Sequence, residues 1–387
     1  MVDYPEPNNR INLPSINSAV VIPALNPGHN LINLVNELLN YGIPQIIVVN
    51  DGSESTYNSV FQALEQIKNC TVLTHKVNCG KGRALKTAFL YFIDHYPNLD
   101  GVVTADADGQ HAAEDICNIA EKLSIYKNSI ILGVRNFQED NVPERSYIGN
   151  TVTSRVFWFL YGYYLSDTQT GLRGIPTSEL SWITELKGER YDYEINMLIY
   201  SRFRNIPLHL VPIKTLYIDN NSGSHYKAIR DSFRIFRCLV YGILKQMLAA
   251  IFCGILDLFV FFVLYSTVFA GFQALARIFA CAAIARLLSA ACKYIISRST
   301  FIAGIGKLKY TLFRYYILLL VMTVFSCGLI YLASLFSHIN IVIIKLIVDF
   351  ILGFISYHIH LRWISNKKYS SGPLASKSEN NGFNSSV

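Results

Sequence analysis

The sequence predicts an α/β domain with a mostly parallel sheet, followed by an all-α half of four membrane-spanning helices. Two observations predict it. From Met1 to about Lys245, short β-branched runs alternate with helical patterns, as strands joined by crossover helices do. From Gln246 to Trp363 the chain is dominated by Ile, Leu, Phe, Val and Ala, in runs long enough to cross a bilayer of about 30 Å. With 387 residues, each half is long enough to bury its own core.

In the first half, Ser18 to Pro23 reads as a strand and the segment after Asn30 as an amphipathic helix. Gln45 to Asn50 is a second strand, ending in the turn Asp51-Gly52-Ser53. A short third lies near Thr71 to Leu73, a fourth over Gly101 to Ala105, and a fifth over Ser129 to Val134. Ligands of such sheets bind outside the carboxyl ends of the strands. Here those ends carry Asn26, Asp51, Asp106, Asp108 and Arg135, so polar residues collect on one rim.

The apolar half divides into segments of roughly 246–268, 272–296, 315–336 and 339–363. Arg277, Arg286 and Lys293 interrupt the second. The stretches Tyr265 to Gly271 and Ala333 to Asn340 carry no charge, whereas Arg298, Lys307, Lys309, Arg314, Arg362, Lys367 and Lys368 lie on the opposite side. The positive-inside rule then predicts both termini and the first domain in the cytoplasm. Asp257, Arg286, Lys345 and Asp349 fall deep within spans, where charge is costly without a partner, and Lys345 and Asp349 are spaced to pair with each other. Residues 226–245 carry Lys227, Arg230, Arg234 and Arg237 at helical spacing, with Phe233 and Phe236 elsewhere on the wheel, and are expected to form an interfacial amphipathic helix. The expected division is thus 1–225, 226–245, 246–366 and a disordered tail over 367–387, rich in Ser, Asn and Gly.

The net charge of +7 lies largely beside the apolar runs, which points to anionic lipid headgroups and away from nucleic acid. The eight cysteines show no metal-ligand spacing and are expected as packing thiols. No signal peptide is expected at the start, where no apolar core follows a basic segment.

Asp106-Ala107-Asp108 carries the chemistry. Two carboxylates one residue apart at a strand end can both face a divalent ion, and Gln110 adds a neutral oxygen nearby. Mg²⁺ or Mn²⁺ held there can neutralise a leaving diphosphate. Asn78-Cys79-Gly80-Lys81-Gly82 is a glycine-rich basic turn before a helix, able to approach phosphate, but without P-loop spacing.

The ordered set Val20-Val21-Ile22-Pro23-Ala24-Leu25-Asn26, Val49-Asn50-Asp51-Gly52-Ser53, Asn78-Cys79-Gly80-Lys81-Gly82 and Asp106-Ala107-Asp108-Gly109-Gln110-His111 resembles family 2 glycosyltransferases. It is most similar to the polyprenyl- or dolichyl-phosphate sugar synthase branch. Asp167 to Arg173, Glu189 to Glu194 and Ser224-His225-Tyr226 add to the resemblance, and the apolar half resembles a GtrA-like membrane domain. The resemblance implies a GT-A fold and inverting transfer of a hexose, glucose or mannose, from a UDP- or GDP-linked donor to a polyprenyl phosphate. It implies a donor site of Pro23, Leu25, Asn26, Asp51, Lys81, Asp106 and Arg135, and a metal held by Asp106, Asp108 and Gln110. Asp108, Arg173, Asp192 and Glu194 are implied as the catalytic group, with Arg173 facing a phosphate. Arg145, Ser224, His225 and Arg230 are implied on the acceptor side. Homo-oligomerisation is left open. Two positions depart from the pattern: Pro27 stands where Glu is common, and Asn50 where Asp is common. No QxxRW segment of the kind processive polysaccharide synthases carry occurs in the chain. The rival reading of a different class is a lipid-linked sugar flippase or scaffold whose head only binds nucleotide.

Overall fold

Continuous β-branched runs, buried on both faces, form the centre of a seven-stranded sheet in this computed structural model. It describes residues 16–137, 142, 144–204, 206–214, 228–269, 271–300, 308–336 and 340–359. Strands β1 (Ser18–Ala24), β2 (Ile46–Asn50), β3 (Cys70–Thr74), β4 (Gly101–Thr104), β5 (Ile130–Arg135), β6 (Arg173–Pro176) and β7 (Leu208–Ile213) lie in the order β3-β2-β1-β4-β6-β5-β7. The five expected strands are present. The sheet is not uniformly parallel, because β6 enters antiparallel between β4 and β5 while β7 pairs parallel with β5. These last two strands were missing from the sequence reading.

Helices α1 (Asn30–Asn40), α2 (Asn58–Glu65) and α4 (Ala113–Ile125) bury one face of the sheet. Helices α3 (Lys81–His95), α5 (Glu144–Tyr161), α6 (Thr177–Thr184) and α7 (Asp192–Phe203) cover the other. Parallel strands buried on both faces need such a two-sided cover.

Helix α8 runs unbroken from Ala228 to Val263, across the boundary expected at residue 245, and ends in a π-turn over Leu264–Val268. Its first turns belong to the α/β domain: Ile235 and Leu239 are buried in that core, and Tyr161 Oη donates to the Leu239 carbonyl at 2.8 Å. Farther on it joins α9 (Ala274–Thr300), α10 (Leu308–Phe336) and α11 (Ile341–Ile359). Among the described residues, two stretches, Ile251–Val268 and Ile317–Leu335, are long and apolar enough to cross a membrane.

The deep charges converge. Lys345, with its side chain fully buried, pairs with both Asp257 and Asp349, and Arg286 pairs with Asp349. Lys345 therefore pairs with Asp349, as their spacing predicts, and also with Asp257 of another helix. Cys253, Cys281 and Cys327 are buried among the helices, as expected of packing thiols, and none of the eight cysteines forms a disulfide.

Candidate active site

The antiparallel entry of β6 assembles the site. Thr104, the last residue of β4, pairs with Arg173, and its hydroxyl donates to the Gly171 carbonyl at 2.7 Å. This lays the Asp167–Leu172 loop against the acidic cluster that follows β4, although some sixty residues separate them in sequence. A methyl group at Gly171 would lie 2.4 Å from Asp106 Oδ2 and 2.9 Å from Lys81 Nζ, so the two paired side chains would have to shift to admit it.

The acidic turn is held by its own backbone. Asp106 N–H donates to His111 Nδ1 at 3.1 Å, and Gln110 N–H donates to Asp108 Oδ1 at 3.1 Å, with Gly109 at φ 78°. His111 is buried, and burial lowers its pKa, which suits the acceptor role.

Lys81, the first residue of α3, is clamped between Asp106 Oδ1 at 2.6 Å and Glu194 Oε1 at 3.0 Å. Burial acts to lower its pKa, but the Asp106 and Glu194 carboxylates outweigh it and raise the pKa above the ordinary lysine value. Burial alone would raise Asp106; the Lys81 charge overrides it and holds that carboxyl at about 2. Asp108 behaves oppositely. Burial, and then the Asp106 charge, push it up to about 6.

These residues fit a divalent cation. The donors are hard oxygens, burial and then the Asp106 charge leave the Asp108 carboxylate short of a counter-charge, and Gly171 leaves the Oδ2 side of Asp106 open. Asp106, Asp108 and the neighbouring Gln110 are the residues that could hold it.

Beside this cluster, Asp51 is 4% exposed and organises a turn. Its carboxylate accepts from Cys79 N–H at 2.9 Å and Gly80 N–H at 2.7 Å, and its Oδ1 lies 2.7 Å from His75 Nδ1. The first two motifs interlock: Asn26 N–H donates to Ser53 Oγ, Glu54 N–H donates to Asn26 Oδ1, and Ser53 N–H donates to Asn50 Oδ1, each at 2.9 Å. Asn50 thus keeps the turn-closing acceptor that Asp would supply. Pro23 and Leu25 are half-buried at the same strand end, and Pro27 is buried.

Arg135 closes another side of the rim, with two bonds to the buried Asp167 at 2.7 and 3.0 Å. Arg173, expected to face a phosphate, lies beneath the rim with its Nη2 unpartnered among the described residues. It is 1% exposed, and its guanidinium donates to the carbonyls of Thr170 at 3.0 Å and Glu194 at 2.7 Å. A buried cation of this kind ties the loop before β6 to α7. Asp192, half-buried at the start of α7, accepts from Arg190 N–H at 3.0 Å. Arg230 is exposed on α8. Ser224, His225 and the Arg145 side chain lie outside the described residues.

His75 is not among the residues that the sequence predicts for the site, and Glu189 enters the resemblance only within the Glu189 to Glu194 segment, without a role of its own. Glu189 pairs with Arg83 at 2.6 Å and Lys86 at 3.1 Å, joining α3 to the loop before α7. Nothing in local spacing marks either residue.

The sequence profile described as Glycosyl transferase family 2 matches residues 19–178. A UDP-N-acetylglucosamine–dolichyl-phosphate N-acetylglucosaminyltransferase of Methanococcus voltae is 31% identical over 234 residues, covering 56% of this chain and 92% of the relative. This chain belongs to glycosyl transferase family 2. A dolichyl-phosphate β-glucosyltransferase of Drosophila melanogaster is 25% identical over 251 residues, 58% of this chain and 75% of the relative. A solved glucosyl-3-phosphoglycerate synthase of Mycobacterium tuberculosis, in complex with Mn²⁺, UDP and glucosyl-3-phosphoglycerate, matches 58% of this chain and 79% of its own at 16% identity, with a TM-score of 0.44 that carries no argument. As a family 2 member the chain is a glycosyltransferase, and its mixed-sheet domain is GT-A-like.

Proposed function

We propose that this glycosyltransferase moves a hexose, glucose or mannose, from a UDP- or GDP-linked donor to a polyprenyl phosphate at the cytoplasmic membrane face, inverting the anomeric carbon. The observation that carries the reading is the convergence of Lys81, Asp106, Asp108 and Glu194 on the rim of a domain continuous, through α8, with apolar helices. Two relatives are named for dolichyl-phosphate acceptors, which supports the lipid side. Their names divide over the sugar, glucose in one and N-acetylglucosamine in the other, so both belong in any donor panel beside mannose.

Bound at Asp106 and Asp108, with Gln110 beside them, Mg²⁺ or Mn²⁺ would neutralise the departing diphosphate. The chain's own residues do the positioning. Asp51, Asn26, Pro23 and Leu25 form the base end of the donor site, while Lys81 and Arg135 set positive charge toward its phosphates. The acceptor phosphate, with a second pKa near 6, is largely anionic at neutral pH and needs no strong base. Asp192 and Glu194 then orient hydroxyls, and Arg173 acts from within by fixing the Glu194 backbone. Arg145, Ser224, His225 and Arg230 hold the acceptor near the headgroups.

The last four helices are read as a GtrA-like, four-span membrane domain with both termini cytoplasmic. Exposed aromatic and apolar residues on α8 (Phe233, Phe236) and α5 (Ile148, Val152, Trp158) support contact between the catalytic domain and the bilayer. Purified protein with radiolabelled nucleotide-sugars, Mn²⁺ and polyprenyl phosphate is expected to yield labelled glycolipid. Asp108→Ala should lower the yield at least a hundredfold, about 2.7 kcal/mol of transition-state stabilisation. Absence of glycolipid from every wild-type combination sinks the reading.

A further inference from the structure

A second group of ligand-type side chains lies beside the acidic cluster, and only one of them, Asp51, enters the proposed donor site. Asp51 ends β2, His75 follows β3, and Cys79 sits on the turn before α3; one ligand atom from each lies within 4.8 Å of the other two. We propose that Asp51, His75 and Cys79 form a separate site for a borderline-soft divalent ion of the Zn²⁺ class, whose occupation blocks the nucleotide end of the donor cleft.

The donor set separates this site from the first. Asp106 and Asp108 offer only hard oxygens, which suit Mg²⁺ or Mn²⁺, whereas an O, N, S triad favours Zn²⁺, Co²⁺ or Cu²⁺. The outer contacts are those a metal site needs. His75 Nε2 lies 2.9 Å from Thr87 Oγ1, which fixes the ring and turns Nδ1 toward Asp51. Backbone N–H groups of Cys79 and Gly80 fix the Asp51 carboxylate. Cys79 is the one exposed cysteine of the eight, with its thiol 3.3 Å from the Val77 carbonyl. Tetrahedral coordination with bonds of 2.0–2.3 Å places ligand atoms about 3.3–3.6 Å apart. Reaching it means opening the 2.7 Å contact between His75 and Asp51 by under about 1 Å and rotating one exposed thiol.

Binding at Nδ1 would leave the His75 ring proton on Nε2, toward Thr87 Oγ1, and release the Cys79 thiol proton to solvent. Three protein ligands leave the fourth position to water. The blocking effect rests on the proposed role of Asp51 at the base end of the donor site, but the metal site does not.

Co²⁺ titration of the full-length protein in detergent tests the two parts separately. Wild type should show a thiolate-to-Co²⁺ absorption band in the near ultraviolet, displaced by Zn²⁺. Cys79→Ser should lose that band and weaken Co²⁺ binding about tenfold or more, and His75→Ala should weaken it likewise. Serine keeps the backbone N–H that Asp51 uses, so Cys79→Ser should retain transfer with Mg²⁺ while losing sensitivity to Zn²⁺. In wild type, Zn²⁺ should raise the KM for the nucleotide-sugar at saturating Mg²⁺. A wild-type band that is missing, or one unchanged in Cys79→Ser, overturns the site. A Cys79-dependent band with an unaltered KM keeps the metal site and overturns the base-end role of Asp51.

Discussion

Gly171 shows how single residues set this site. Its missing side chain leaves room for the Asp106 carboxylate and the Lys81 ammonium, which touch at 2.6 Å. Gly171→Ala should force those two groups apart, and overpacking of this kind costs about 1–3 kcal/mol. The expected result is a tenfold or greater loss of kcat with unchanged far-ultraviolet circular dichroism. Wild-type kcat in that variant would contradict the geometry. The residues that act through strand ends, Asp51, Asp106, Asp108 and Arg135, were legible from the sequence, because alternating strands and helices already put them on one rim. Arg173 was not. Its motif suggested a phosphate contact, and only the tertiary structure shows Nε and Nη1 donating to the Thr170 and Glu194 carbonyls while Nη2 keeps no partner among the described residues. His75 was equally silent, since its partners Asp51 and Thr87 stand 24 and 12 residues away.

At the scale of elements, the five strands with β-branched runs were readable and the last two were not. β6 is the four-residue stretch Arg-Gly-Ile-Pro, too short and too rich in Gly and Pro to carry a strand signal. β7 reads Leu-His-Leu-Val-Pro-Ile, and its Pro argues against a strand except at an edge, which is where β7 lies. The mixed topology therefore came from pairing, not from local preference. Helix α8 is the second element that sequence divided and structure joined. A change from basic-amphipathic to fully apolar composition near residue 245 resembles a boundary, yet one helix can carry both faces. Phe233 and Phe236 on its first turns are 66% and 51% exposed. Replacing both with Glu should weaken use of a long-chain acceptor in vesicles at least tenfold, through KM. Use of a short, water-soluble acceptor phosphate should stay within about twofold, the scatter of surface substitutions near ±0.5 kcal/mol. Equal losses with both acceptors would place the defect in the catalytic fold instead.

Across the whole molecule, two charge clusters stand in two environments. The rim cluster is partly open and, with the Asp106, Asp108 and Glu194 carboxylates around Lys81, suited to a divalent cation. The helical cluster of Asp257, Arg286, Lys345 and Asp349 is self-neutralising and links α8, α9 and α11. Lys345→Met should leave two carboxylates short of their shared partner and lower stability by about 3–5 kcal/mol. Thermal unfolding in detergent would read this as a clear fall in Tm, partly restored by adding Asp257→Asn. An unchanged Tm would mean that the network does not hold the helices. The charged depth positions were visible in the sequence; the partnership between Lys345 and Asp257, 88 residues apart, was not. The central claim joins the two halves: a rim site acts on a donor diphosphate and hands the sugar to a lipid phosphate. Its most direct test is the stoichiometry of products from full-length protein in vesicles holding polyprenyl phosphate, given UDP-glucose, UDP-N-acetylglucosamine or GDP-mannose with Mn²⁺. Mass spectrometry should find one glycosyl-phosphoryl lipid for each nucleoside diphosphate released, with one donor of the three. Nucleoside diphosphate released with free sugar and no glycolipid would contradict it.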